Sequence, residues 1–185
     1  MRLDLSKDKI NLDALFVKQQ KIDFDNGDSL LKIAINMPDI NFLDIEIYET
    51  SINRLINKTH KYQLSNLKII QVDAHTKDNN FDSFQLFLSG PWYKKKYHKL
   101  RLVQTAFLDL LSKTIIHNGK IHIATDWVRY VTTMMNALKN HLHFKNTQND
   151  PIYSLRPGHR PITKFERRSH RPGHDVLDLI FKNEK

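Results

Sequence analysis

The sequence predicts an α/β fold in which a mostly parallel sheet carries helices on both faces. Short apolar runs typical of buried strands alternate along the chain with segments whose apolar residues recur at helical spacing. Alternation of this kind implies crossover connections between parallel strands. Hydrophobic residues make up 40% of the 185 residues, which is enough for a core, and we predict a single domain over residues 1–185.

Five elements are predicted in the first half of the chain. They are strands at Lys21–Phe24, Asn41–Ile47 and Leu67–Val72 and helices at Ser29–Asn36 and Ser51–Tyr62. The strands are short apolar runs, and the first leads into a turn at Asn26 and Gly27. The second helix shows the expected spacing of one apolar face, with Ile52, Leu55 and Ile56 at i, i+3 and i+4.

Five further elements are predicted in the second half. They are strands at Ser83–Leu88, Lys120–Ala124 and Val176–Phe181 and helices at Lys99–Ile115 and Asp126–His141. A turn at Asn118 and Gly119 separates the first of these helices from the strand that follows it. The last strand is expected at an edge of the sheet or in a hairpin. Ligands of such sheets bind beyond the carboxyl ends of the strands, so residues that follow strands are the candidates for a site.

Charge and composition narrow the function classes. Residues 1–90 carry a net charge of −2 and residues 91–185 a net charge of +11, an asymmetry that suggests a polyanionic partner such as nucleic acid. A solvated surface that keeps the protein soluble is the alternative. The chain has no cysteine, which excludes disulfides and thiolate metal sites. It has neither an apolar run of the roughly 20 residues that a membrane span needs nor a signal-peptide core, so we predict a cytoplasmic protein.

Two acidic residues close successive predicted strands. Glu46 ends the second strand, where a carboxylate can accept hydrogen bonds from ribose hydroxyls, and Asp73 ends the third, where it can meet an adenine edge. Each can equally cap a turn or the following helix. The turn after the first strand is poor in glycine: Gly27 is present, but Asp25 would crowd a ligand and repel an anionic group.

A basic, aromatic segment follows the fourth predicted strand. Between Pro91 and Arg101 the chain has five lysines and arginines and one histidine, with no acid. Such cations contact phosphates, and the interleaved aromatic residues Trp92, Tyr93 and Tyr97 can stack on bases or anchor the loop. A solvated cationic loop is again the alternative.

This segment resembles the signature Pro-Asp-Pro-Trp-x-Lys-(Lys/Ala)-Arg-His-x-Lys-Arg-Arg of bacterial tRNA (guanine-N7-)-methyltransferases. Three further stretches support the resemblance. Ala124–Trp127 equals the family's Ala-Thr-Asp-Trp, Arg160–Arg168 follows its Arg-Pro-Val-Thr-Lys-Phe-Glu segment, and His170–Leu179 follows its Arg-Leu-Gly-His-Gly-Val-Trp-Asp-Leu tail. The similarity runs from about Leu12 to the C-terminus, in the order of the family.

The resemblance implies a Rossmann-like class I methyltransferase fold that uses S-adenosylmethionine to methylate a guanine in the variable loop of tRNA. It implies cofactor-binding roles for Gly27, Glu46 at the ribose and Asp73 near the adenine. It also implies contacts with the RNA or the target nucleotide for a larger set: Lys94, Lys96, Tyr97, His98, Lys99, Arg101, Asp126, Thr163, Lys164, Phe165 and Glu166. We expect tRNA as the partner, a monomer, and no metal, since the ten histidines show no ligand spacing.

Several of these residues have simpler interpretations. Asp126 can serve only as the N-cap of the helix that follows, and Glu166 can form a weak local ion pair with Arg167 and Arg168. The clustered cations of the C-terminal region can face solvent, although their density favours phosphate contact. They are Arg156, Arg160, Lys164, Arg167, Arg168 and Arg171.

The chain departs from the family pattern in the cofactor and catalytic region. Asp23 and Asp25 replace two glycines of the first turn, and Lys21 replaces the cofactor-binding Glu that opens it. Gly90 replaces the catalytic Asp of the Pro-Asp-Pro-Trp signature, so the catalytic residue is unknown. The family's basic stretch also loses an arginine at Leu100. The N-terminal extension, about residues 1–20, is shorter than is usual in the family.

The chemistry indicates how serious these losses are. Guanine N7 has a free lone pair and needs no general base, but a carboxylate can stabilise the charge that develops on the guanine. The loss of one such group costs on the order of 10²–10³ in rate. We therefore expect a divergent, impaired methyltransferase, with a non-catalytic tRNA-binding protein as the alternative. A methyltransferase for a small molecule is a third possibility, against which the basic C-terminal half argues.

Overall fold

The computed structural model describes residues 2–3, 20–23, 28–45, 49–70, 81–87, 92–149, 153–162, 166 and 175–185. Within these residues the strands are β1 (Arg2–Leu3), β2 (Gln20–Asp23), β3 (Asn41–Ile45), β4 (Leu67–Ile70), β5 (Phe81–Phe87), β6 (Ile115–Thr125), β7 (Phe144–Asn146) and β8 (Leu177–Asn183). The α-helices are α1 (Asp28–Asn36), α2 (Glu49–Lys61), α3 (Thr105–Thr114) and α4 (Val128–Lys139), and a 3-10 helix spans Lys95–Leu100.

The eight strands form one sheet in the order β1-β4-β3-β2-β5-β6-β8-β7. The pairings from β1 through β6 are all parallel, whereas β8 is antiparallel to both β6 and β7. The strand order reverses between β2 and β5, and the crevice at such a reversal is where ligands of open α/β sheets bind. The predicted α/β class, with a mostly parallel sheet, is confirmed.

Helices cover both faces of the sheet, and each face has its own apolar layer. One layer joins α1 and α2 to strand residues such as Phe42 and Phe87, and the other joins α3 and α4 to strand residues such as Leu43 and Leu86. Neighbours along a strand thus belong to opposite layers, as the two-residue period of a strand requires. Burial on both faces explains why these strands appear in the sequence as nearly continuous apolar runs.

The helix predicted at Lys99–Ile115 is wrong as a single element. The chain instead forms the 3-10 helix and α3, separated by an extended linker over residues 101–104. The side-chain amide of Gln104 donates to the carbonyl of Lys99 at 3.0 Å and also to that of Arg101. These bonds satisfy carbonyls that a continuous helix would use, and Gln104 becomes the N-cap residue of α3.

Of the two positions predicted for the last strand, an edge or a hairpin, the edge is wrong, whereas β8 does pair antiparallel with β7, the strand before it in the chain. β8 lies between β6 and β7 and is therefore not at the edge of the sheet. The strand at this edge is β7, whose three residues include one buried apolar side chain, Phe144, too short a signal for sequence analysis. β6 begins earlier than expected, at Ile115, because the register between β5 and β6 shifts where Asn118 has φ 64°.

Candidate functional site

The predicted site residues fall into two groups. Gly27, Glu46, Asp73, Gly90, Thr163, Lys164 and Phe165 lie outside the described residues. The described ones come from three places: the segment after β5, the residues after β6, and the segment that leads back to β8. Because β5 and β6 are adjacent and parallel, their carboxyl ends bring the first two places together.

The basic segment after β5 presents its side chains to solvent. Every residue from Trp92 to Leu100 is exposed, and Tyr93 retains 65% of its surface. The ring centroids of Trp92 and Tyr97 lie 6.0 Å apart, and the Lys96 Nζ lies 4.9 Å from the Tyr97 centroid. Trp92 has φ 47°, a left-handed conformation that is strained for so large a side chain. The segment therefore offers cations and aromatic faces together, as contact with RNA requires.

Arg101 differs from the rest of this segment because its side chain is buried. Its guanidinium carbon lies 4.8 Å from the centroid of Tyr130. Its Nη2 donates to Nε2 of His98 at 3.0 Å, and its Nη1 donates to Oγ1 of Thr133 at 3.5 Å. Arg101 is therefore held against α4 while it also lines a surface cleft.

Asp126 does not cap α4, so that simpler interpretation is wrong. The N-cap residue is Trp127, in an extended conformation, and α4 begins at Val128. The Trp127 backbone N–H is instead satisfied by Oγ1 of Thr125 at 3.3 Å. Asp126 directly follows β6 and is partly exposed, at the edge of the sheet where the basic segment also emerges.

A cleft of about 550 Å³ lies between the 3-10 helix and the start of α4. Its lining residues are Tyr93, Lys95, His98, Arg101, Val103, Gln104, Trp127, Arg129 and Thr133. The Tyr93 and Trp127 rings meet edge to face, with centroids 4.6 Å apart. Three of the lining residues are lysine or arginine, and no carboxylate is among them in the described part of the chain.

Glu166 belongs to a buried polar network, whereas Arg167 and Arg168, the partners suggested for it by the sequence, lie outside the described residues. Arg160 donates through Nη1 and Nη2 to the two carboxylate oxygens of Glu166, at 2.8 and 3.1 Å. Its Nη2 also donates to Oδ2 of Asp178 at 3.0 Å, and Oδ1 of Asp178 lies 2.6 Å from Nε2 of His122. The Arg160 side chain is only 1% exposed, so for this residue both the favoured phosphate contact and the solvent-facing alternative are wrong.

The network joins Arg160 and Glu166 to the sheet. His122 lies on β6 and Asp178 on β8, whereas Arg160 and Glu166 come from the segment between β7 and β8. Sequence analysis missed the network because its members are 56 and 18 residues apart. The available signal was a histidine and an aspartate inside apolar strands, since buried charged groups are paired.

The described residues show neither a candidate metal site nor a candidate membrane span. They contain no cluster of three or more histidine, aspartate or glutamate side chains that could hold a metal ion. No helix among them is long and apolar enough to cross a bilayer.

Comparison with known proteins identifies the family. A family described as "Putative methyltransferase" matches residues 19–179. A tRNA (guanine-N(7)-)-methyltransferase of Legionella pneumophila (strain Lens) is 41% identical over 167 residues, which are 87% of this chain and 74% of the relative. The chain belongs to the tRNA (guanine-N7-)-methyltransferase family. A family member from Shewanella amazonensis is 34% identical over 98% of this chain and 81% of its own length.

Solved structures agree on the fold of this family member. The 16S rRNA methyltransferase KamB superimposes with a TM-score of 0.68 at 12% identity, covering 97% of this chain and 96% of its own. A SAM-dependent O-methyltransferase from Thermotoga maritima has a TM-score of 0.58 at 11% identity, covering 89% and 59%. The class I methyltransferase fold implied by the sequence is thereby confirmed.

Proposed function

We propose that this chain is a divergent tRNA guanine-N7 methyltransferase that acts on tRNA in the bacterial cytoplasm. The observation that carries the proposal is the convergence of the basic, aromatic segment after β5 with Asp126 after β6, at the carboxyl ends of adjacent strands. The names of the relatives supply the reaction, and the net charge of +11 on residues 91–185 suits a polyanionic substrate. We propose a monomer.

The crevice at the strand-order reversal fits a nucleoside cofactor. β2 ends there at Asp23, flanked in register by Asp44 of β3 and Gln85 of β5. In this proposal Gly27, Glu46 and Asp73 hold S-adenosylmethionine, with Glu46 at its ribose. When bound, the cofactor would supply an electrophilic methyl group: the lone pair of guanine N7 would attack the methyl carbon without prior loss of a proton, and the sulfur would leave with the bonding electrons as S-adenosylhomocysteine.

The chain's own residues bind and orient the RNA. Lys94, Lys96 and Lys99 are exposed and suited to phosphates, while Tyr97 and His98 offer planar groups on the same 3-10 helix. Asp126 and the segment Thr163–Glu166 are proposed to surround the target nucleotide. Arg160 holds the end of that segment through its two bonds to Glu166.

We infer that catalysis is impaired. A carboxylate near the reacting guanine would stabilise its developing positive charge, and Gly90 has no such group. By analogy with the removal of one preorganised electrostatic group, the rate falls by about 10²–10³. Asp23 and Asp25 replace two glycines of the family's cofactor turn. This change is expected to lower the affinity for the cofactor, independently of the missing carboxylate at Gly90.

Calorimetric titration with S-adenosylmethionine, combined with detection of N7-methylguanosine in tRNA treated with the same sample, tests the proposal. We expect salt-sensitive tRNA binding and slow N7 methylation. A turnover equal to that of the Legionella pneumophila relative would refute impairment. Methylation at a position other than guanine N7 would refute the assigned reaction.

A non-catalytic tRNA-binding protein is the second candidate function. The joint departures at Asp23, Asp25 and Gly90 favour it, because all affect the cofactor and catalytic region and none affects the basic segment. Its signature is tRNA binding without heat of cofactor binding and without methylation.

A further inference from the structure

We propose that the cleft between the 3-10 helix and α4 binds one phosphodiester of the RNA between Lys95 and Arg129, with the adjoining base against Trp127. This inference rests on the proposed RNA substrate and adds a contact that the family resemblance does not assign. Lys95 and Arg129 both stand outside the set of residues that the resemblance implies.

The charge of the cleft indicates an anionic ligand. Lys95, Arg101 and Arg129 line it from three parts of the chain, the 3-10 helix, the linker after it and α4, and no carboxylate is among its described lining residues. The exposed cations Lys95 and Arg129 repel each other across the cleft, and an anion bound between them relieves that repulsion. A phosphodiester is the anion that the rest of this surface is suited to meet.

The position of Arg129 strengthens this argument. It is the second residue of α4, and the first turn of that helix has no acid. A helix N-terminus carries a partial positive charge, which disfavours a cation in the first turn. Arg129 is exposed and lines the cleft, so in the proposed complex its guanidinium and the helix terminus contact the same anion.

The aromatic wall determines which anion fits. The edge-to-face contact of Tyr93 with Trp127 fixes both rings at one side of the cleft, and Tyr93 keeps most of its surface exposed. A planar base can therefore lie against the wall while its phosphate meets the cations. The volume of about 550 Å³ is in the range of small-ligand sites, roughly 300–1,000 Å³.

The floor of the cleft is fixed before any ligand binds. Arg101 is held by His98, Thr133 and the Tyr130 ring, and Gln104 ties the carbonyls of Lys99 and Arg101 together. These bonds hold the 3-10 helix against α4, so little conformational entropy is lost when RNA enters.

Binding of a tRNA transcript, followed by fluorescence anisotropy at several KCl concentrations, tests the inference. Arg129→Gln should weaken binding about tenfold and reduce the salt slope by about 1. Lys139→Gln is the matched control, because it removes the same charge from an exposed position in the last turn of α4, about 15 Å away. It should change the affinity less than twofold, and Arg129→Lys should recover most of the loss.

Two further measurements distinguish a phosphate shared by Lys95 and Arg129 from a general effect of lost positive charge. If Lys95 and Arg129 hold the same group, the double variant Lys95→Gln/Arg129→Gln loses less affinity than the product of the single losses. In a Trp92→Phe background Trp127 is the remaining tryptophan, and RNA should quench its fluorescence. If Arg129→Gln and Lys139→Gln weaken binding equally while the wild type still binds tRNA, the phosphodiester contact in the cleft is refuted and the proposed function is not. Absence of salt-sensitive tRNA binding by the wild type would overturn the proposed function together with it.

Discussion

Arg160 shows how a single residue of the basic C-terminal region can serve structure instead of RNA contact. Its buried guanidinium binds both Glu166 and Asp178, and Asp178 also binds His122. Removal of the arginine from such a cluster leaves buried carboxylate oxygens without its charged donors, which costs about 3–5 kcal/mol. We expect Arg160→Met to lower the free energy of unfolding by about that amount in urea denaturation.

Arg156 provides the control for this prediction. It is an exposed arginine of the same segment, and its one described bond is a 3.3 Å contact with the Arg160 carbonyl. Arg156→Met should cost less than about 1 kcal/mol. Arg160→Lys should not restore the lost stability, because an ammonium cannot reproduce the two-pronged contact with Glu166. Equal losses for Arg156→Met and Arg160→Met would contradict the structural role.

At the scale of elements, the irregular start of β6 depends on Gly119. A Cβ at this position would lie 2.9 Å from the Ile116 carbonyl oxygen and 3.0 Å from that of Asp82. Backbone atoms cannot easily move aside, so Gly119→Ala should destabilise the protein by about 1–3 kcal/mol in urea denaturation. Gly158→Ala, where no atom lies within 4 Å of the new Cβ, should be neutral or slightly stabilising. A neutral Gly119→Ala would contradict the packing of β6 on β5.

The β7–β8 edge carries a second element-scale prediction. Lys145 and Lys182 are directly opposite each other, and the Glu184 carboxylate binds both ammonium groups, which lowers the pKa of Glu184. A lowered folded-state pKa contributes stability above the ordinary pKa of a carboxyl, and this stability is lost as pH falls through the lowered value. The Tm of Glu184→Gln should therefore lie below that of the wild type at pH 7, and the gap should close toward acid pH. Asp175→Asn, which changes an exposed acid, should lower Tm less than Glu184→Gln does. A Tm difference between Glu184→Gln and the wild type that does not change with pH would contradict the ion pair.

The elements that could be predicted from the sequence are those with a regular pattern of apolar residues. β3, β4 and β5 are apolar runs because the sheet is covered on both faces, and α2 has a regular apolar face. The break between the 3-10 helix and α3 was not predictable by spacing, because Leu102 and Val103 pack on the core from an extended linker and mimic a helical face. The Gln104 bonds that cause the break are specific contacts, to which periodicity is insensitive.

The same distinction holds for the site. The basic segment was predictable because charge and aromatic residues are local features of the sequence. The partners of Glu166 and Arg101 were not, since Arg160 is joined to Asp178 on another strand and Arg101 to Tyr130 on another helix. Clustered cations therefore look alike in sequence, although Arg101 and Arg160 are buried and Lys94 and Lys96 are exposed.

At the scale of the whole molecule, the proposed RNA-binding surface and the proposed cofactor site lie in different halves of the chain. The C-terminal half provides the positive charge, the 3-10 helix and the cleft, whereas the turn after β2 would provide the cofactor contacts. A chain with Gly90 and with Asp23 and Asp25 in that turn can lose catalytic rate while it retains RNA affinity. Binding and turnover should therefore respond to different substitutions.

The reversal of one departure tests this separation. Gly90→Asp restores a carboxylate at the position where the family has one, and we expect it to raise kcat for tRNA methylation by about 10²–10³ without changing tRNA affinity more than a few-fold. Gly158→Asp is the matched control: it adds the same carboxylate at an exposed glycine with open space around it and should leave kcat unchanged. If cofactor binding is the step that fails, Gly90→Asp alone will stay at background, and activity will appear only when Asp23→Gly and Asp25→Gly are added. An unchanged kcat in the triple variant, with cofactor bound and tRNA affinity intact, would mean that Gly90 does not occupy the catalytic position.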